Sequence, residues 1–271
     1  MKFLVLGDLH GRKPKLKNGF DAIISPGDFA DNFTRKYKFK AVRLSKKQNK
    51  NVSWTDLVGK RKAELLSRKE DKSGREVMEH LNSLNKKVYF VPGNYEPEMP
   101  KLRNINKRLK NLVNCHMRLV TLKDYCIIGY GYSSYPEIPQ HEQDRHRYKD
   151  YIPQMKKDYI YAISKLSRLF LKAKKPVIFI THNPPFNTAL DIVYWKGSPR
   201  YGEHLGSVVA KEMIEAFKPI VCCSGHMHEH LACCKMKGTL CINPGKNIRK
   251  KIILDLEGTK AKANLTPCPK S

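Results

Sequence analysis

Seven side chains in this sequence are of types that hold metal ions, and their local settings repeat one form. Asp8 and His10 lie in Gly7-Asp8-Leu9-His10, Asp28 in Pro26-Gly27-Asp28, and Asn94 in Pro92-Gly93-Asn94. His182 lies in Thr181-His182-Asn183-Pro184-Pro185, and His226 and His228 belong to Gly225-His226-Met227-His228. Carboxylate, imidazole and amide donors of this kind suit two divalent ions that share one ligand. Such a pair holds a phosphate ester, activates a bridging water as hydroxide and neutralises charge at phosphorus, at a typical spacing of about 3.5–4 Å. Imidazoles favour softer first-row ions over Mg, so Mn2+ is the first expectation, with Fe, Ni or Zn as alternatives. Each piece alone is weak: many loops contain Asp-x-His, a histidine after a strand is more often a core or turn residue, and Gly-Asn is ordinarily just a turn. All seven in this order, each at the end of an apolar run, argue against coincidence.

The runs are what must position them. Lys2–Leu6, Ala22–Ile24, Val88–Val91, Val177–Ile180 and Ile220–Cys223 are short, apolar and closed by small or turn-forming residues, so they read as buried strands. Open α/β sheets collect function at the carboxyl ends of their strands, which predicts one shared crevice. Asp8 and His10 flank Leu9 and are expected to point the same way from an extended backbone; Asp28 follows a Pro-Gly tight turn. Further along, Val113–Leu122 and Tyr125–Tyr130 predict a hairpin about Lys123-Asp124. Gly129, Gly131 and Ser133-Ser134 then form a loop able to approach a ligand. Met155, Tyr159, Ile163, Leu166 and Phe170 predict a helix over 154–174, and Val208, Val209, Met213, Ile214 and Phe217 another, stopped by Pro219. The 183–205 loop, carrying Trp195 and His204, reads as a lid or rim. Strands are expected at 239–243 and 251–256. His141 and His146 have no strand-tip context and read as surface residues. No repeat or low-complexity linker divides the chain, so one domain over 1–271 is expected, with a basic insertion at about 35–75.

Charge is the unusual bulk property: 52 Lys+Arg against 25 Asp+Glu leave +27. Such an excess points to polyanions, nucleic acid first, against the plainer reading of a lysine-rich solvated surface. Residues 35–75 hold fifteen Lys/Arg and four Asp/Glu, with Tyr37, Phe39 and Trp54 among them. Basic residues and aromatics together can clamp phosphates and stack bases. The competing reading is an amphipathic helix, since Leu57/Val58, Leu65/Leu66 and Val77/Met78 come in helical pairs and Ser53 with Asp56 could cap its start. Combined, the two predict a flexible basic loop near 35–52 and a helix after it. Of eight cysteines, neither Cys222-Cys223 nor Cys233-Cys234 has zinc-site spacing, and the former pair lies in an apolar run where thiols act as small hydrophobes. A reducing, cytoplasmic setting is expected. Phe3–Leu6 is too short for a signal h-region and no run approaches membrane-spanning length, so no membrane association is expected. A homo-oligomer stays open.

Gly-Asp-x-His, Gly-Asp, Gly-Asn, His and Gly-His-x-His in this order resemble the calcineurin-like metallophosphoesterases, over a span from Asp8 to about Gly245. Thr181–Pro185 with Leu190-Asp191, His204-Leu205-Gly206-Ser207, Gly225–Glu229 and Ile242-Asn243-Pro244-Gly245 resemble in particular the branch called Icc-related phosphoesterases. The resemblance implies a four-layer α/β/β/α sandwich. It implies that Asp8, His10 and His228 bind one ion, that Asn94, His182 and His226 bind the other, and that Asp28 bridges. Asn243 and Gly245 are expected to shape a turn. One departure is informative: the family's histidine after Gly-Asn is Tyr95 here. A phenol, with a reference pKa of about 10, is the poorer acid at neutral pH. Asn94 and Tyr95 are the catalytic candidates of this turn; His204 could substitute from the long loop, against its reading as a rim histidine, which is preferred. Glu96 is expected to orient the loop. The implied function is a metal-dependent phosphoesterase, diester in type, acting on a phosphate ester of nucleotide or nucleic-acid origin. In a nuclease version, 35–75 and 101–110 would grip the backbone. The alternative is a non-catalytic scaffold that reuses the fold for protein contacts.

Overall fold

Apolar side chains on both faces of the short runs force each strand between two layers, and that requirement shapes the whole structure. The computed structural model describes every residue except 17, 49, 51, 97–106, 132–135, 199, 247–249 and 268–271. In the first sheet β1 (Lys2–Val5), β2 (Ala22–Ser25), β3 (Val88–Phe90) and β4 (Leu112–Asn114) run parallel. The second contains β5 (Leu119–Thr121), β6 (Cys126–Tyr130), β7 (Val177–Thr181), β8 (Val221–Cys223), β9 (Ala232–Met236) and β10 (Thr239–Asn243). Two late strands, β11 (Lys250–Glu257) and β12 (Lys260–Pro267), return to the first sheet. The strand orders are β12-β11-β1-β2-β3-β4 and β5-β6-β7-β8-β10-β9. The helices are α1 (Arg35–Gln48), α2 (Trp54–Val58), α3 (Lys60–Ser83), α4 (Glu142–Arg147), α5 (Ile152–Lys172) and α6 (Val208–Phe217).

Alternate residues of one strand go to different layers. Phe3, Val5 and Ile24 of the first sheet meet Ile178, Ile180 and Val221 of the second in a core between the sheets. Leu4, Ile23 and Phe90 point outward onto Val77, Met78 and Leu81 of α3. On the far side Phe179 and Cys222 pack against Leu166 and Phe170 of α5 and Val209 and Met213 of α6. The result is the α/β/β/α sandwich, and adjacent Cys222 and Cys223 end in different layers of it. Burying each of these aliphatic or aromatic side chains contributes roughly 1.5–3 kcal/mol.

Several expectations change. The run Val113–Leu122 is not one strand: β4 pairs with β3, the chain crosses over at 115–118, and only β5 pairs with β6 as the hairpin. The basic segment read as a loop near 35–52 is helical over Arg35–Gln48, and among its described side chains only Ala41 is buried. Ser53 and Asp56 do form a capping box, at the start of the short α2. The edge strands β9 and β12 escaped sequence reading. Ser133-Ser134, Cys268 and most of the 101–110 segment lie outside the described residues. Seven cysteines are free thiols. Among the described residues no helix is long and apolar enough to cross a membrane.

Candidate metal centre

β1, β2 and β3 run parallel, as do β7 and β8, so the turns after them open on common edges of the two sheets. These are the turns that carry the seven expected donors. One ligand atom from each of Asp8, His10, Asp28 and His228 lies within 4.8 Å of the others. His10 Nε2 is 3.0 Å from His228 Nε2, and His228 Nε2 is 3.1 Å from Asp8 Oδ2. A second group forms beside it: Asn94 Oδ1 lies 2.8 Å from His182 Nε2 and 3.0 Å from His226 Nδ1. Asp28 stands between them. Its Oδ2 is 3.4 Å from His10 Nε2, and its Oδ1 is 3.7 Å from His182 Nε2. The structure thus brings together the seven residues that the family resemblance implies as ligands.

The backbone works hard to bring them there. His10, Asp28 and His226 have φ of 43°, 57° and 63°, the left-handed region that non-glycine residues avoid. His10 therefore reaches the centre through a turn, not by alternation along an extended strand as the spacing of Asp8 and His10 suggested. Space is as tight as the torsions. A Cβ on Gly93 would stand 2.3 Å from Asp28 Oδ1, and one on Gly225 would stand 2.4 Å from Asp8 Oδ1.

Supporting groups fix each donor. His10 Nδ1 donates to the Ala30 carbonyl at 3.0 Å and His182 Nδ1 to the Pro26 carbonyl at 2.8 Å, which orients both rings with Nε2 facing inward. The Tyr95 amide donates to Asp28 Oδ1 at 2.7 Å. Glu96 Oε1 accepts from the amides of Asp28 and Gly93 at 2.6 and 3.0 Å, the loop-orienting part expected of it. Asn243 Nδ2 donates to the carbonyls of Gly225 and Met227 at 3.1 and 3.2 Å, while its Oδ1 accepts from Gly245.

Burial sets the electrostatics. It pushes His10 and His226 down to about 3, helped by neighbouring imidazoles. It raises Asp28 to about 6, with Asp8 adding to the effect. Burial also pushes Asp8 upward, but contact with His228 and the imidazoles of His182 and His10 outweighs it and holds this carboxyl below its ordinary value. Burial, then Glu70 and Asp28, lifts the Tyr95 phenol to about 12.

The family described as calcineurin-like phosphoesterase matches residues 1–230. This chain belongs to that family. The phosphoesterase is 26% identical over 181 residues, 63% of its length and 70% of the relative's, to an uncharacterised protein, MJ1162, of Methanocaldococcus jannaschii. One solved structure superposes at a TM-score of 0.67 with 19% identity, covering 98% of both chains. Phosphopantetheinyl hydrolase of Mycobacterium tuberculosis superposes at 0.54 with 13% identity, over 90% of this chain and 89% of its own. Both are likenesses of fold.

Members of the family typically bind two divalent metals, and the residues present here fit such ions. Both carboxylate oxygens of the buried Asp8 lack a hydrogen-bond partner. The His228 ring, 3.1 Å from Oδ2, offsets part of the cost of burying this carboxylate, and a cation facing it offsets more. The donor set is also right in kind, with imidazole lone pairs, carboxylates and an amide oxygen.

His204 of the phosphoesterase sits elsewhere in the network. Its Nδ1 is 2.7 Å from Asp191 Oδ1, and its carbonyl accepts from His141 Nε2 at 2.7 Å. Asp191 also accepts from the amides of Asn187, Thr188 and Gly206, so it organises the 183–207 loop. Among the described residues no hydrogen bond or ring contact joins His204 to Tyr95 or to the seven donors. Tyr95, by contrast, lies edge-on to His10 with ring centroids 5.5 Å apart. Sequence reading missed a group of cations at this mouth. Lys246 is lowered first by burial and then by repulsion from Arg12 and Arg35, with Asp31 and Asp8 opposing. No spacing rule links residues 12, 35 and 246, because only the fold brings them within range.

Proposed function

We propose that residues 1–271 are one phosphoesterase domain that hydrolyses phosphodiesters with two divalent ions, Mn2+ first among them. The observation that carries this is Asp28, whose two carboxylate oxygens face two separate donor groups. Asp8, His10 and His228 would hold one ion, Asn94, His182 and His226 the other, and Asp28 would bridge. Bound there, such a pair lowers the pKa of coordinated water towards neutrality and offsets charge on a phosphate. The chain's own residues do the rest. Glu96 and the Tyr95 amide keep Asp28 in its strained turn, and the carbonyls of Ala30 and Pro26 keep two imidazoles in the ligating tautomer. The Tyr95 phenol keeps its proton and can donate a hydrogen bond to a phosphoryl oxygen, but it is a weak proton donor for a poor leaving group. That favours diesters and esters whose leaving group needs no acid. The +27 charge favours a nucleotide-type substrate.

The test is hydrolysis of bis-p-nitrophenyl phosphate and p-nitrophenyl phosphate by Mn2+-loaded protein, with chelated protein and Asp28→Ala as controls. Turnover should need metal and favour the diester, and Asp28→Ala should lose at least about a hundredfold. Metal analysis should show its content falling from two ions to one or none. Two tightly bound ions with no turnover of either ester would overturn the reading.

A further inference from the structure

Large apolar side chains exposed together in one patch, unlike scattered single ones, mark an interaction site. Here Phe33 and Phe39 are 40% exposed and Trp195 is 50% exposed, and the three line one groove with Asn32, Arg35 and Lys36. Phe39 comes from α1 and Trp195 from the 183–207 loop, and they meet edge to face with centroids 6.3 Å apart. The Arg35 guanidinium lies 5.3 Å from the Phe39 ring. α1 carries seven Lys/Arg and no acidic residue over 14 residues, so its charge runs for about 21 Å. Among the described residues neither Arg12 nor Arg35 has an ion-pair partner. The groove is tied to the metal centre: the Lys38 ammonium is 4.6 Å from the Tyr95 ring, which abuts His10.

We propose that this groove binds single-stranded nucleic acid, with a base against Phe39 and Trp195 and the backbone phosphates on Arg35, Lys36 and Lys38. Ring faces and edges accept any base, and the unbroken positive helix matches a chain of phosphates. Its length argues for a strand over a mononucleotide, which could use only one end of it. A duplex hides its bases from such a groove. The inference rests on the phosphodiesterase reading only for the fate of a strand once bound.

The experiment is fluorescence anisotropy with a labelled oligothymidylate of about 12 nucleotides, the full chain and EDTA throughout. Phe39→Ala and Trp195→Ala should each weaken binding roughly 10–100-fold. Replacing Arg35, Lys36 and Lys38 together by Ala should reduce the slope of log affinity against log salt by about 2. Thermal melts would show that these surface variants are folded. Equal affinity of the aromatic variants and the wild type would overturn the proposal. So would equal affinity for a duplex of the same length, or displacement of the strand by thymidine monophosphate at equal nucleotide concentration. Because EDTA removes metal from the binding assay, failure here would leave the hydrolytic reading standing. Wild-type protein that binds the strand but, with two ions bound, turns over neither ester would do the reverse.

Discussion

The phenol of Tyr95, lifted to about 12, stays protonated through the neutral range. Histidine in its place would titrate near 6.5 and could protonate a departing alkoxide. Tyr95→His is therefore expected to raise turnover of phenyl phosphate, a poor leaving group, by roughly a hundredfold relative to p-nitrophenyl phosphate. An unchanged ratio in steady-state assays would show that the side chain does not reach the leaving group. Asp28 makes a second case. Raised to about 6, it is ionised above that pH in the metal-free protein and protonated below it, while His10 and His226, near 3, are neutral on both sides. Metal binding below pH 6 must expel the Asp28 proton, so from these groups the log affinity falls by up to about one per pH unit there and is flat above. Calorimetry in buffers of different ionisation enthalpy reads that proton directly, and a flat affinity across the pH 6 boundary would contradict it. The seven residues that the turns bring together were legible because each sits in a short local signal of residue type and turn. The left-handed torsions of His10, Asp28 and His226 were not, since nothing in a non-glycine sequence announces them.

Among the elements, β10 does more than shape the turn expected at its own end. Its last residue, Asn243, is fully buried and clamps the turn after β8, whose His226 and His228 belong to different donor groups. Asn243→Ala leaves two buried carbonyls without that donor. It should weaken metal affinity by about 10–100-fold, measured by competition with a chelating dye, while leaving the strands paired. Affinity equal to the wild type would show that the turn holds itself. Elements with an apolar stripe were readable, as with α5 and α6. α1 was not, because with Ala41 alone buried among its described side chains it shows no stripe, and its charge run imitates a loop. β9 alternates half-buried and exposed residues at a sheet edge, which left too little apolar signal. Residues 112–122 misled for the opposite reason, since two strands of different sheets lie almost end to end with apolar residues on both sides of the crossover.

Across the molecule, the donors divide by sheet. Asp8, His10, Asp28 and Asn94 follow strands of the first sheet, and His182, His226 and His228 follow strands of the second. Ions held among them would pin the two sheets together at one end of their shared core. Binding to the native state alone stabilises it by about 2.7 kcal/mol at a hundredfold excess over the dissociation constant. Chelation should therefore lower the unfolding midpoint and raise hydrogen exchange at the carboxyl ends of strands in both sheets together. Faster exchange in one sheet only would place the ions within that sheet. The α/β/β/α layering was visible from the buried runs and the family resemblance, whereas the separation of charge from catalytic turns was not. All seven donors sit on turns bounded by buried strands, and α1 contributes none of them. Surface and chemistry are thus written largely in different parts of the chain: α1 beyond Arg35 and Lys38 can be recharged, generation by generation or by design, while the seven turn residues keep their places.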